Sequence, residues 1–235
     1  MVNKFTQQLK ELVLEKVNQI IQTLDTDKQL GFGLIMKEFC EHFALDEMIF
    51  QHLYDAYKQQ IPELELYSRD TDIYYRREET LHTITFLEKS FSLEEATYHG
   101  FLTSCLELSR EVLPLGTVVE LDEAYFKPSQ EHGIPAKVVI TGRFIAPQGY
   151  NTYFPYCGVL YPFGEMKKDA QIHFTTPLIK NVLHKGYKDQ AEEALEIIMK
   201  QELIIDKNLQ SIEFSTQDMH KLQKEIELKQ RAGEQ

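Results

Sequence analysis

The sequence has few of the residues that mark several functional classes. Its 235 residues include no tryptophan and three cysteines, and no two cysteines form a CxxC pair. An odd and sparse cysteine set predicts neither a disulfide framework nor a zinc knuckle. No apolar run approaches the about 18 residues of a membrane-spanning helix, and the first residues lack the apolar core of a signal peptide. We therefore expect a cytoplasmic protein.

Basic side chains are also scarce. The chain has 25 Lys and Arg against 37 Asp and Glu, a net charge of −12 with a pI near 5.2. This balance argues against nonspecific nucleic-acid binding and against docking on an anionic membrane. The acid is concentrated in residues 1–111, with 11 basic and 20 acidic side chains, against 14 and 17 in residues 112–235. An acidic first half either serves solubility or steers a basic partner.

Hydrophobic residues make up 43% of the chain, enough for a core. Residues 4–24 have apolar side chains at helical spacing, which predicts a helix that packs on its own domain or accepts a partner helix. A break over 25–33 separates it from two further helices, the second capped by Asp46 and ended by Pro62.

The next part of the chain is ambiguous. Residues 73–75 and 83–86 favour strands, and the residues between them fit a helix or a turn. Ser92 followed by Glu95 matches a capping box, which predicts a helix from residue 93 to about 112.

Short β-branched and aromatic runs between glycines and prolines then predict a small, mostly antiparallel sheet. The predicted strands lie near 117–121, 137–145, 152–161 and 170–174, with a loop over 124–136. Helices are predicted from Thr176-Pro177 to Gly186, from Asp189 onward, and from Ser215 to about Arg231.

The two last helices differ in their apolar faces. The helix after Asp189 has Ala191, Ala194, Leu195 and Ile198 on one side, which we expect to face inward, and Glu192, Glu193, Glu196 and Lys200 on the outer side. The C-terminal helix has only a thin stripe, so we expect it to lean on a neighbour or a partner; the stripe is Met219, Leu222 and Ile226.

These patterns predict an α+β protein. We expect a mainly helical region over 1–112, a small α+β domain over 113–205 whose sheet has flanking helices, and a C-terminal helix within 206–235.

Four blocks follow one another in order within the second region. They are Leu113-Pro114-Leu115-Gly116-Thr117-Val118-Val119, Ile140-Thr141-Gly142-Arg143, Tyr156-Cys157-Gly158-Val159-Leu160-Tyr161-Pro162-Phe163-Gly164, and His173-Phe174 with Gly186-Tyr187. In this order they resemble a family of unknown function encoded beside type VII secretion genes in Gram-positive bacteria. The resemblance covers about residues 113–205. Two positions that are usually Asp in that family are Pro155 and Leu178 in this chain.

The resemblance implies a fold and a role in protein binding. Its shared residues are of structural types, suited to turns, strand ends and close backbone approach, and they are Pro114, Gly116, Gly142, Gly158, Pro162, Gly164 and Gly186. Members of the family are implied to act as accessory or chaperone-like proteins that bind secreted toxins or their small helical partners.

Catalytic interpretations have little support. Gly31-Phe32-Gly33 lacks the third glycine and the preceding strand of a dinucleotide loop. Cys40 and His42 are two residues apart, which places them on different sides of a helix. The best catalytic guess combines Asp122 and Glu123, at a strand end, with His132 or His173.

We therefore expect a protein that is not an enzyme and uses no cofactor or metal. The first hypothesis is a cytoplasmic type VII secretion chaperone that binds an exported toxin, or its helical partner, and covers apolar helical surface until the secretion ATPase engages the complex. Its expected contact residues are the two terminal apolar stripes, Phe5, Leu9, Leu12, Met219, Leu222 and Ile226. The alternative is an immunity protein whose acidic half matches a basic toxin domain.

Overall fold

The computed structural model describes residues 4–124, 136–166 and 171–233, the last five of these by their backbone alone. It confirms the α+β class. The chain divides into two compact units. The first comprises Met1–Arg110 with Lys200–Asn208, and the second comprises Glu111–Met199 with Leu209–Gln235. The segment 200–208 thus joins the N-terminal unit, whereas the sequence pattern gave no reason to separate it from the residues before it.

The helices of the first unit are α1 (Lys4–Thr23), α2 (Thr26–Phe43), α3 (Glu47–Lys58) and α4 (Glu95–Ser109). The predicted break over 25–33 is wrong beyond Asp25, because α2 begins at Thr26. The Asp25 side chain accepts a hydrogen bond from the Lys28 amide and so caps α2. Gly33 lies inside this helix against Ile21, where an added Cβ would come within 3.1 Å of Ile21 Cγ2.

The residues between α3 and α4 form an antiparallel meander of four strands. They are β1 (Glu63–Ser68), β2 (Thr71–Glu78), β3 (Leu81–Phe86) and β4 (Lys89–Glu94), in that order across the sheet. The predicted capping box at Ser92 is wrong, because β4 continues to Glu94 and α4 begins at Glu95. The Ser92 hydroxyl instead lies 2.8 Å from the Thr83 hydroxyl across the β3–β4 pair.

Aromatic packing forms the core of the first unit. Phe39 of α2 lies at the centre of the cluster, and its ring contacts the rings of Phe43, Phe50, Phe86, Phe91 and Phe101. Edge-to-face geometry dominates these contacts, as the ring quadrupole favours. Because Phe86 and Phe91 belong to β3 and β4, the cluster fixes one face of the meander against the helices.

Buried lysines hold the segment 200–208 in this unit. Lys16 of α1 donates to the Ile204 carbonyl at 2.9 Å and to Asn208 Oδ1 at 2.5 Å. Lys200 donates to the carbonyls of Leu108 and Arg110, at 2.9 and 2.8 Å, and so satisfies the C-terminal end of α4. The residues between the two anchors form a π-helical segment, Gln201–Asp206, with Leu203, Ile204 and Ile205 buried.

The second unit contains β5 (Val118–Leu121), β6 (Lys137–Ile145), β7 (Thr152–Leu160), β8 (Ile172–Phe174), β9 (Ile179–His184) and β10 (Gln210–Ser211). Their order is β10-β7-β6-β5-β9, and β8 also pairs with β7. All described pairs are antiparallel except β10 with β7. These positions confirm the predicted strands near 117–121, 137–145 and 152–161. Residue 170 and most of the predicted loop, 125–135 with His132, lie outside the described residues.

The predicted helix from Thr176 to Gly186 is wrong. The residues Thr176–Leu178 make a single 3-10 turn, and the chain then enters β9. Ile179 and Val182 pair with Leu121 and Val119 of β5, so β-branched residues extend the sheet rather than a helix. Gly186 follows β9 and therefore caps no helix; an added Cβ at this position would lie 2.1 Å from the Leu115 carbonyl oxygen.

Two helices complete the chain, α5 (Gln190–Lys200) and α6 (Thr216–Gly233). The carboxylate of Asp189 caps α5 and the hydroxyl of Ser215 caps α6, as their positions predicted. The core of the second unit lies on one face of the sheet and contains Val119, Leu121, Val138, Ile140, Tyr156 and Phe174. Within the described ranges, no helix combines the length and the hydropathy that crossing a bilayer requires.

Candidate protein-binding surface

Helix α5 turns its apolar residues toward solvent. Leu195 is 43% exposed and Ile198 is 57% exposed, and Ala191 and Ala194 on the same side are also exposed. The prediction that this side faces inward is therefore wrong. We call these four residues the α5 stripe.

The charged side of the same helix is buried or half-buried instead. Glu196 is 2% exposed and forms an ion pair of 3.0 Å with Lys188, and Glu192 pairs with Arg143 of β6. Burying a charge without a partner costs several kcal/mol, so each of these carboxylates needs its cation. Lys188 and Arg143 supply those cations within the second unit, and they fix which side of α5 faces inward.

The α5 stripe has the geometry of a helix-recognition surface. Its residues 191, 194, 195 and 198 follow the i, i+3, i+4, i+7 spacing that places side chains on one helical face. Two alanines lie beside a leucine and an isoleucine, so a partner helix could approach closely at the alanines and bury the larger side chains.

Helix α6 carries a second exposed apolar set. Met219 and Ile226, two of the predicted contact residues, are 44% and 47% exposed, and Leu222 between them is half-buried. Leu228, which the sequence interpretation missed, is 64% exposed.

Polar contacts hold the start of α6 on the sheet of its own unit. The buried Asp218 accepts from the Asn151 amide at 3.0 Å and from the Thr152 hydroxyl at 2.8 Å. Lys221 donates to the Gly149 carbonyl at 2.6 Å, and its ammonium lies 4.1 Å from the centre of the Tyr150 ring. These polar contacts attach α6 to its own unit, and Met219, Ile226 and Leu228 remain exposed to solvent.

The predicted N-terminal stripe, Phe5, Leu9 and Leu12, is largely buried, unlike the apolar residues of α5 and α6. Leu9 and Leu12 are 7% and 5% exposed, and Phe5 is half-buried. Helix α1 packs them inside the first unit, against the other helices of that unit. In this arrangement Leu9 and Leu12 contribute to the core and are not accessible to a partner.

The motif residues between Leu113 and Gly186 have structural surroundings. Gly158 is the tightest in the sheet, since an added Cβ would lie 2.3 Å from the Val139 carbonyl oxygen. Gly116 has φ +79° in a turn closed by a hydrogen bond from Thr117 to Pro114, which favours glycine. The others are Gly142, which faces Cys157, Gly164, with a positive φ, and Pro162, in a cis peptide bond with Tyr161.

Among the described residues, Asp122 and His173 of the suggested catalytic set do not lie together, and His132 is outside the described residues. Asp122 follows β5 and accepts a hydrogen bond from the Ala124 amide, whereas His173 lies in β8, with β6 and β7 between the two strands. Three strand spacings separate such positions by roughly 14 Å. Glu123 pairs with Lys180 at 3.5 Å. Among the described residues, no group of three His, Cys, Asp or Glu side chains is placed to hold a metal ion.

A family model described as a domain of unknown function, DUF4176, matches residues 112–195. The match covers just over a third of the chain and includes β5 to β9 and the first half of α5. No curated protein and no solved structure has a significant match to the chain. The family description names no activity.

Proposed function

We propose that this protein is a chaperone-like accessory factor that binds an exported toxin, or a small helical partner of that toxin, in type VII secretion of Gram-positive bacteria. It would act in the cytoplasm, by contact rather than by catalysis, and without a cofactor. The observation that carries the proposal is the α5 stripe. Buried ion pairs hold this helix with its apolar side outward, toward the position that a partner helix would occupy.

The α5 stripe is distinguished by a combination of features and not by exposure alone. Single exposed leucines are normal on protein surfaces. In α5, however, the apolar residues follow one helical face, and the acidic residues that would keep such a face solvated are on the buried side. Covering Leu195 and Ile198 with a partner would recover hydrophobic free energy that folding of the chain alone leaves unused.

The second candidate function is that of an immunity protein which inhibits a cognate toxin. Its support is the excess of acid in residues 1–111, which suits a basic toxin domain. The two functions differ in the part of the toxin that is bound. A chaperone recognises the helical export region, and an immunity protein recognises the catalytic domain.

The test uses the full chain with a toxin encoded beside it, divided into its export region and its catalytic domain. Each part is co-expressed with this protein, and complexes are measured by size-exclusion chromatography with light scattering. We expect a complex with the export region, and we expect the variant Leu195→Glu with Ile198→Glu to abolish it. The matched control, Leu30→Glu with Leu34→Glu, changes two leucines of α2 that are 76% and 74% exposed, and should leave the complex intact.

Deletion of the gene in the host separates the two functions. Loss of toxin export without toxicity to the host supports the chaperone function. Killing of the host by its own toxin, together with binding of the catalytic domain by the α5 stripe variant, would replace the proposal with immunity.

A further inference from the structure

Two tight turns meet at one end of the four-stranded meander. Arg69-Asp70 joins β1 to β2, and Leu87-Glu88 joins β3 to β4. All four residues have positive φ, 48° and 58° in the first turn and 45° and 60° in the second. Two-residue hairpins favour this conformation, but glycine and asparagine normally supply it. A bulky leucine in such a turn is unusual, and Leu87 is 47% exposed.

A groove of about 420 Å³ lies between these turns, on the first unit alone. It is lined by Asp70, Thr71, Asp72, Tyr74, Thr85, Phe86, Leu87 and Glu88. Tyr74 and Thr85 are paired across β2 and β3 and point away from the helices, since their neighbours Ile73, Tyr75 and Ile84 are buried. The groove therefore opens on the face of the sheet that the unit's own helices leave uncovered.

The accessible charge near the groove is mainly negative, because the nearby basic side chains already contact other groups of the protein. Arg69 donates to the His42 carbonyl, Lys89 pairs with Glu38 at 2.6 Å, and Arg76 pairs with Glu78 at 3.0 Å. In contrast, no described hydrogen bond or ion pair engages the carboxylates of Asp72 and Glu88, within the part of the chain that the structure covers. The groove is lined by three acids and no base.

We propose that this groove binds an arginine side chain on a basic segment of a protein partner. The open carboxylates of Asp72 and Glu88 would accept charge-assisted hydrogen bonds from a guanidinium group. The half-exposed Tyr74 ring offers a face for stacking, and Leu87 offers apolar contact for the methylene stem. The negative charge of the groove favours a cationic side chain. Stacking on Tyr74 and apolar contact with Leu87 favour the planar guanidinium of arginine over the ammonium of lysine. This site is independent of the α5 stripe.

The test is fluorescence anisotropy with the full chain and a labelled glycine-serine octapeptide that has two central arginines. Two companion peptides replace the arginines with lysine or with citrulline, which keeps the shape and removes the charge. We expect the arginine peptide to bind, the lysine peptide to bind more weakly and the citrulline peptide not to bind. Tyr74→Leu should reduce the preference for arginine over lysine.

Matched variants separate the groove from the general acidity of the chain. Asp72→Asn with Glu88→Gln should weaken binding of the arginine peptide by about tenfold, as loss of charge-assisted hydrogen bonds predicts. The control, Glu15→Gln with Glu41→Gln, removes the same charge from exposed positions on α1 and α2 and should change binding by less than about twofold. Equal weakening by both pairs would overturn the site, as would equal binding of the arginine and lysine peptides.

A measurement on the wild-type protein does not depend on any variant. Amide chemical shifts recorded during titration with the arginine peptide should change mainly at residues 70–74 and 85–88. Shift changes spread over the acidic surface, or absent from these residues at saturation, would contradict the proposal.

Discussion

Replacement of residues along α5 should give a stability pattern opposite to that of an ordinary amphipathic helix. Ile198→Ala is expected to have a small effect and Glu196→Ala a large one. The reason is that Ile198 is 57% exposed, whereas Glu196 is 2% exposed and paired with Lys188.

The magnitudes follow from burial. Complete burial of an isoleucine side chain contributes about 1.5–3 kcal/mol. Less than half of the Ile198 side chain is buried, so Ile198→Ala should cost about 1 kcal/mol or less. Removal of one partner of a buried ion pair costs about 3–5 kcal/mol, and because Lys188 retains some exposure, we expect about 2–3 kcal/mol for Glu196→Ala.

The assay is urea unfolding of the full chain, followed by far-UV circular dichroism. The control variant is Glu193→Ala, which makes the same change in helix propensity at a half-buried position one turn earlier and should cost under about 1 kcal/mol. A cost of about 3 kcal/mol for Ile198→Ala, with Glu196→Ala near the control, would show that the apolar side of α5 faces inward. The function proposed for the α5 stripe would then lose its basis.

Three further predictions concern stability. Gly158→Ala should destabilise the second unit by about 1–3 kcal/mol, because the new Cβ would lie 2.3 Å from the Val139 carbonyl oxygen; thermal unfolding checks this, and an unchanged midpoint would contradict it. Replacement of Leu87-Glu88 by Asn-Gly should stabilise the first unit by about 1 kcal/mol, since both new residues tolerate positive φ, and urea titrations measure the gain. Burial lowers the pKa of His82, so the unfolded chain takes up a proton before the folded chain does as the pH falls, and stability should decrease from pH 7 toward pH 5. His82→Gln should make that decrease shallower when urea midpoints at the two pH values are compared.

Local sequence patterns predict correctly those elements whose formation depends on residues close by in the chain. The strands of the second unit are bounded by glycines and prolines, and the caps Asp46, Asp189 and Ser215 lie where their hydrogen bonds begin a helix. The blocks that resemble the family are also local signals of structure. Gly116 provides the positive φ of a turn, and Gly158 allows the close approach of two strands.

The elements that were missed depend on distant partners. Periodicity shows that α5 has two sides, but it does not show which side faces inward. That choice is made by Arg143 and Lys188, which neutralise two glutamates. In the same way Ile179 and Val182 became a strand because β5 offers an unpaired edge, although Thr176-Pro177 is a good helix start. The acidic groove was missed because it combines two turns that are adjacent only after the meander has formed.

The two proposed surfaces differ in chemistry, so ionic strength distinguishes their contributions to any partner complex. Binding at the α5 stripe is driven by burial of Leu195 and Ile198, and salt should weaken it little. Binding at the groove depends on Asp72 and Glu88, which are exposed enough for counter-ions to screen them, so its association rate should fall as salt rises. A partner complex that survives high salt in the Asp72→Asn, Glu88→Gln variant and is lost in the Leu195→Glu, Ile198→Glu variant uses the stripe. The reverse result would assign recognition to the groove and would favour a basic toxin domain as the partner.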